Sequence, residues 1–166
     1  MSSGIVLDAD VHWISFHGSY DFGYFLKILT CLPLPDEEDQ FFDLLRAYFP
    51  SLYDIKFLLR SVEDLRPTWG SSLNRLADYM NVHRVGQEHQ AGSDSLVTCI
   101  TFFKLIDIHF SNQIDDSKFC GQIYGLGEGA SAESSQALRR RMNNELNFPP
   151  NFERLILGCI DADFWK

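Results

Sequence analysis

Two short polar segments hold the residues best suited to chemistry, His89-Gln90-Ala91-Gly92-Ser93-Asp94-Ser95 and His17-Gly18-Ser19-Tyr20-Asp21. Each sets an imidazole a few residues ahead of a carboxylate, on a glycine-containing loop that runs toward an apolar stretch. Carboxylates such as Asp21 and Asp94 are hard oxygen ligands for divalent cations, and paired ions about 4 Å apart stabilise both the attacking and the leaving oxygen of a phosphodiester. An imidazole with an unperturbed pKa of about 6.5 can take the proton of the attacking water near neutral pH. Taken singly, the same residues have plainer roles: Asp21 compensating a helix dipole, Asp94 capping a helix, His89 bonded to loop backbone. The recurrence of the pattern sets metal-assisted phosphodiester hydrolysis, with His89, Asp21 and Asp94 as the site, beside those plainer roles.

Positioning these residues falls to elements that residue periodicity outlines. Gly4 to Leu7 and Val11 to Phe16 are expected strands, joined by a turn at Asp8-Ala9-Asp10. Ser19 is expected to cap a helix from Tyr20 to about Thr30, with Phe22, Phe25, Leu26 and Leu29 at helical spacing. Pro33 and Pro35 end it, and the acidic run Asp36 to Asp39 reads as the solvated start of the next helix, whose apolar face reaches Tyr48. A strand from Leu52 should end near Asp54 or Lys56 and pass into a turn of helix. Asp54 is a weaker site candidate, because ligands gather beyond the carboxyl ends of parallel strands.

Glu63 to Gly70 reads as a loop, and Ser71-Ser72 as the cap of a helix from Leu73 to Met80. The helix expected after Asp94 is apolar nearly all round, which predicts deep burial. A short helix over Ile114 to Phe119 follows, and then, over Gly121 to Gly127, a short strand that runs into a glycine-rich exit. The glycines Gly125 and Gly127 lack the GxxxxGK[ST] spacing of a phosphate loop. Glu128 to Gln136, rich in Ser, Ala, Gly and Glu, reads as a linker, and Arg139-Arg140-Arg141 as a solvated or unstructured stretch. Asn147 to Lys166 carries Leu155-Ile156-Leu157 and Phe164-Trp165 without an assignable role.

Bulk properties narrow the function classes. A chain of 166 residues that is 45% apolar can bury one sizeable core. Its 23 acidic against 14 basic residues, a net charge of -9, exclude a broad basic face for duplex DNA, though not a local groove for nucleic acid. Cys31, Cys99, Cys120 and Cys159 show neither CxxC nor zinc-ligand spacing, so reduced thiols are expected. No apolar run reaches the roughly 18 residues of a membrane span.

Beyond the site pattern, four segments resemble a known family: His17-Gly18-Ser19-Tyr20-Asp21-Phe22-Gly23-Tyr24, Phe49-Pro50-Ser51-Leu52-Tyr53-Asp54-Ile55-Lys56, His89 to Ser95, and Tyr124-Gly125-Leu126-Gly127. They are similar to the catalytic domain of the CAF-one (also called POP-two) poly(A) ribonucleases, deadenylase subunits of the CCR-NOT complex in the DEDD exonuclease superfamily. The resemblance runs from Ser2 to about Gly127. It implies an α/β, RNase H-like exonuclease fold with a mixed sheet flanked by helices, Mg²⁺ or Mn²⁺, and 3′→5′ removal of poly(A). The implied partners are single-stranded poly(A) RNA, the CCR-NOT scaffold and companion deadenylase subunits, with no membrane and no duplex DNA, in cytoplasm and nucleus. By position, Asp21 is similar to the second-motif metal ligand, Asp94 to the third-motif ligand and His89 to the general base.

One departure bears on activity. The family's first motif, Asp-x-Glu on an N-terminal strand, has no counterpart here, since Asp8-Ala9-Asp10 contains no Glu and falls in a turn. The expectation is therefore a C-terminal portion lacking the N-terminal strands, with residues 1–127 from the ribonuclease domain and 128–166 a low-complexity linker and tail. Such a chain should be weakly active or inactive alone. The alternative is a catalytically dead interaction module of the same complex.

Overall fold

Phe22 and Leu26, one helical turn apart, are both buried, and this spacing sets the facing of the first helix, α1 (Ser19–Thr30). The computed structural model describes residues 4–68, 72–127 and 132–145. Their order is strand β1 (His12–Ser15), α1, helix α2 (Glu38–Tyr48), strand β2 (Ser51–Asp54) and helix α3 (Ile55–Leu59). A 3-10 helix (Glu63–Thr68) and the helices α4 (Leu73–Tyr79), α5 (Ala91–Phe110), α6 (Asp116–Phe119) and α7 (Ala132–Glu145) follow. The strands β1 and β2 form a two-stranded sheet, connected through two helices rather than a hairpin.

The chain divides into two compact units. The first gathers α1, α2 and α7, with Phe41, Leu45, Phe49 and Met142 wholly buried. Ring contacts of Phe49 with Phe22 at 4.9 Å and with Phe25 at 5.3 Å knit its interior. The second gathers the sheet, α3, α4, α5 and α6 around Ile55, Leu59, Leu76, Leu105 and their neighbours. Several helices stop where the backbone turns left-handed, at Cys31 (φ 54°), Asn81 (φ 53°) and Ser111 (φ 52°), a common way to close a helix.

Several expectations need correction. Gly4 to Leu7 is not a strand: Leu7 turns left-handed at φ 74°, and Ile5 and Leu7 are half exposed, with no apolar face to bury. Gly121 to Tyr124 is not one either, because left-handed Gly121 and Gly125 bracket it. Ser19 does not cap α1. It is the helix's first residue, and its buried hydroxyl has no hydrogen-bond partner among the described residues. The loop after Glu63 is wound as the 3-10 helix, and Ser72 caps α4 by accepting from the Arg75 N–H at 3.4 Å. The helix expected after Asp94 begins earlier, at Ala91, so Asp94 lies in its first turn rather than at its cap. Nor is α5 buried all round: Leu96, Ile100, Phe103 and Ile108 are exposed.

The largest correction concerns the expected linker. Glu128 to Ser131 lies outside the described residues, but Ala132–Glu145 is a helix, held by contacts that sequence distance conceals. A side chain on Gly23 would bring its Cβ within 2.2 Å of the Met142 sulfur, so glycine on α1 makes room for α7. Lys27, buried on α1, donates from Nζ to the carbonyls of Met142 at 2.8 Å and Asn143 at 3.1 Å, which the helix end leaves without partners. Burial pushes the Lys27 ammonium pKa down. Of the three arginines expected to be solvated or unstructured, Arg139 is buried and donates to the Asp36 carbonyl at 2.8 Å. Arg140 and Arg141 are exposed. The apolar patch at Leu155 to Leu157 and the fourth cysteine, Cys159, lie outside the described residues. Among the described residues Cys31, Cys99 and Cys120 form no disulfide. Among the described residues no helix is long and apolar enough to cross a membrane.

Candidate active site

Asp94 owes its position to the first turn of α5, where its N–H donates to the Gln90 carbonyl at 2.8 Å. A carboxylate there is favoured by the helix dipole. Its side chain is not left to solvent: Arg84 Nη1 donates to Asp94 Oδ1 at 2.5 Å and to Ser93 Oγ at 2.9 Å. The other guanidinium nitrogen, Nη2, donates to Asn74 Oδ1 at 2.5 Å. Arg84 thus ties the connector to α4 and to the entry of α5 through charge-assisted bonds, which are stronger than neutral ones. The arginine side chain is mostly covered and the aspartate side chain more than a third exposed, so one face of the carboxylate stays open to water.

His89 stands exposed two residues before α5, with a left-handed backbone at φ 61°. Asp21, likewise exposed, sits in the first turn of α1. The imidazole of the first polar segment repeats the backbone feature, since His17 has φ 66°. Left-handed geometry in a non-glycine residue costs on the order of 1 kcal/mol and recurs where side chains serve a site.

Asp54, the weaker candidate, has a different part. Its side chain is buried, yet both oxygens are filled by backbone donors. Oδ1 accepts from the N–H of His17 and of Lys56, each at 2.9 Å. Oδ2 accepts from Gly18 at 2.9 Å and from Tyr124 at 3.3 Å. Burial pushes its carboxyl pKa up, while these four bonds pull it back toward the ionised form. Asp54 therefore joins the ends of three chain segments. Beside it, burial raises the pKa of Tyr53 strongly, helped by the hydrogen bond its hydroxyl donates to Asp116 at 2.7 Å.

A sequence model described as CAF1 family ribonuclease matches residues 10–102, more than half of the chain and the span that holds Asp21, His89 and Asp94. The chain belongs to this family. Among CAF1 relatives, it is 50% identical over 127 residues to the probable CCR4-associated factor 1 homolog 7 of Arabidopsis thaliana, covering 76% of this chain and 44% of that one. It is 45% identical over 131 residues to the poly(A) ribonuclease pop2 of Schizosaccharomyces pombe, covering 79% of this chain and 38% of that one. The chain thus spans less than half the length of these relatives.

Solved structures agree. The S. pombe Pop2p structure in its Mg²⁺ and Mn²⁺ bound form superposes with a TM-score of 0.66 at 44% identity, covering 75% of this chain and 47% of that one. Yeast CAF1 co-crystallized with the NOT1 MIF4G domain gives 0.64 at 28% identity, covering 75% and 50%. The fold is therefore the α/β, RNase H-like class of the CAF1 ribonuclease domains, represented among the described residues by two strands and the helices around them.

The donor set can be tested against the cations that the family implies. Among the described residues no group of three or more His, Cys, Asp or Glu side chains is placed to hold a metal ion. One oxygen of Asp94 is engaged by Arg84. Asp21 belongs to the first unit and His89 and Asp94 to the second, where the remaining oxygen of Asp94 is the carboxylate atom left open to a cation. Arg84 is not legible in the sequence, because a single arginine in a connector carries no periodic or motif signal. The joint role of Asp54, Lys56 and Tyr124 was hidden for a similar reason, although Asp54 stood out at its strand end.

Proposed function

We propose that this chain is part of a 3′→5′ exoribonuclease that shortens poly(A) tails within the CCR-NOT complex, in cytoplasm and nucleus, with residues 1–127 as the ribonuclease portion. The observation that carries this reading is the family match across residues 10–102, the span that contains the carboxylate and imidazole positions. The relative named poly(A) ribonuclease, the Mg²⁺ and Mn²⁺ bound structure and the complex with a NOT1 domain support substrate, cations and scaffold in turn. Asp21 and Asp94 each offer a carboxylate to a divalent cation, Mg²⁺ or Mn²⁺, and His89 offers the imidazole that accepts a proton from water. Because the described donors do not complete a metal site, the chain alone is expected to hydrolyse RNA weakly or not at all. Incubating it with a 5′-labelled, A-tailed RNA and Mg²⁺ should leave the tail nearly intact. Robust shortening abolished by Asp94→Ala would overturn the inactivity while upholding the site.

The incomplete donor set also favours a second reading, an interaction module that docks on the scaffold without catalysis. Capture of the purified chain by a NOT1 MIF4G domain, with no deadenylation in the assembled complex, would favour it over the first.

A further inference from the structure

Three of the four backbone N–H groups that Asp54 holds belong to residues whose side chains gather at the Tyr124 ring. His17, Lys56 and Tyr124 each give Asp54 a backbone N–H. The Lys56 ammonium lies 5.3 Å from the Tyr124 ring centre and 5.4 Å from that of Phe16. The His17 imidazole meets the Tyr124 ring edge-on, with centres 5.1 Å apart and planes at 88°. Phe16 and His17 leave the carboxyl end of β1, and Lys56 follows the carboxyl end of β2 by two residues. Beyond the carboxyl ends of strands is where α/β sheets take their ligands.

Charge narrows what such a ligand would be. The chain carries a net charge of -9, yet among the described residues no carboxylate pairs with Lys56, whose neighbours are ring faces instead. The carboxylate nearest in sequence, Asp54, is turned inward and its charge is spread over four N–H donors. A partly buried cation framed by aromatic rings matches one phosphate and one base, the recognition unit of single-stranded nucleic acid.

We propose that Phe16, His17, Lys56 and Tyr124 form a subsite for one nucleotide of single-stranded RNA, with Lys56 on a phosphate and the Tyr124 and His17 rings on a base. The subsite rests on the ribonuclease reading above and adds the residues that grip the strand away from the carboxylates. Its test is fluorescence anisotropy of a labelled oligoadenylate with the purified chain in EDTA, which separates binding from any metal-dependent cleavage. Lys56→Gln should weaken binding roughly tenfold and lower the magnitude of the salt-dependence slope by about 0.7, the loss of one single-strand phosphate contact. Lys56→Arg should bind nearly as well as the parent. Tyr124→Leu, which keeps the bulk and removes the ring, should weaken binding roughly tenfold with the salt slope unchanged, as loss of one stacked base predicts. Circular dichroism confirms that each variant is folded. Parent-like affinity in both Lys56→Gln and Tyr124→Leu, or no binding by the parent chain, overturns the subsite. Poly(A) shortening by the assembled complex, scored separately, decides the ribonuclease reading: cleavage with parent-like binding by both Lys56→Gln and Tyr124→Leu sinks only the subsite, and the predicted binding losses without cleavage sink only the hydrolysis.

Discussion

The segments around His17 and around His89 are alike in sequence and unlike in how the fold secures them. Each holds a histidine with a left-handed backbone just ahead of a helix that carries an aspartate in its first turn. The His17–Gly18 loop is tied by a buried carboxylate from β2 that receives both of its N–H groups. Among the described residues the His89 loop has no such tie, and its segment is held by Arg84 reaching the start of α5. Backbone bonds to a buried acceptor cannot be exchanged for water without leaving buried groups unpaired. An ion pair that stays partly open to solvent can be exchanged for a cation. The first segment is therefore fixed by buried bonds, and the second is held by an ion pair that water can still reach.

Substitutions break or sharpen that contrast. Asp54→Ala removes the acceptor for four N–H groups and should lower stability by about 3 kcal/mol or more, read from a urea transition, because buried unpaired donors are costly. A loss below about 1 kcal/mol, the worth of one ordinary hydrogen bond, would show that the first segment is no more fixed than the second. Arg84→Ala should cost roughly 1–2 kcal/mol, since it removes charge-assisted bonds at a site that water can still reach. Smallest is the backbone term. His89→Gly relieves left-handed strain in an exposed loop and should raise stability by about 0.5 kcal/mol once the entropy of glycine is counted, detectable as a small rise in Tm. The same change at His17 should gain nothing, because it also deletes the ring contact with Tyr124.

What the residues disclosed in advance depended on how local the cause was. The spacing of Phe22 and Leu26, the acidic start at Glu38 and Asp39, and the passage from β2 into α3 at Asp54 are written within a few positions, and each element lies close to where periodicity put it. The helix α7 was illegible because its support is distant: Gly23, Lys27 and Asp36 supply the room and the partners that make Met142 and Arg139 buried residues. The apolar run of α5 signalled a helix correctly. Its exposed Leu96, Ile100 and Phe103 show that hydrophobicity all round a helix does not fix how much of it is covered. For the candidate site, residue types and spacing single out His89, Asp94 and Asp21. The ion pair of Arg84 with Asp94 and the bonds from Asp54 to His17 and Tyr124 join residues 10, 37 and 70 positions apart, which no short motif encodes.

We propose that Asp21 and Asp94 are cation-binding carboxylates and that this chain alone holds no divalent ion tightly, since among the described residues no group of three or more ligating side chains is placed for one. Titration of the purified chain with Mn²⁺, followed by the electron paramagnetic resonance of the free ion, tests it most directly. The account predicts only weak uptake with no stoichiometric end point. A single tightly held ion, lost on Asp94→Asn and kept in Arg84→Gln, would contradict it.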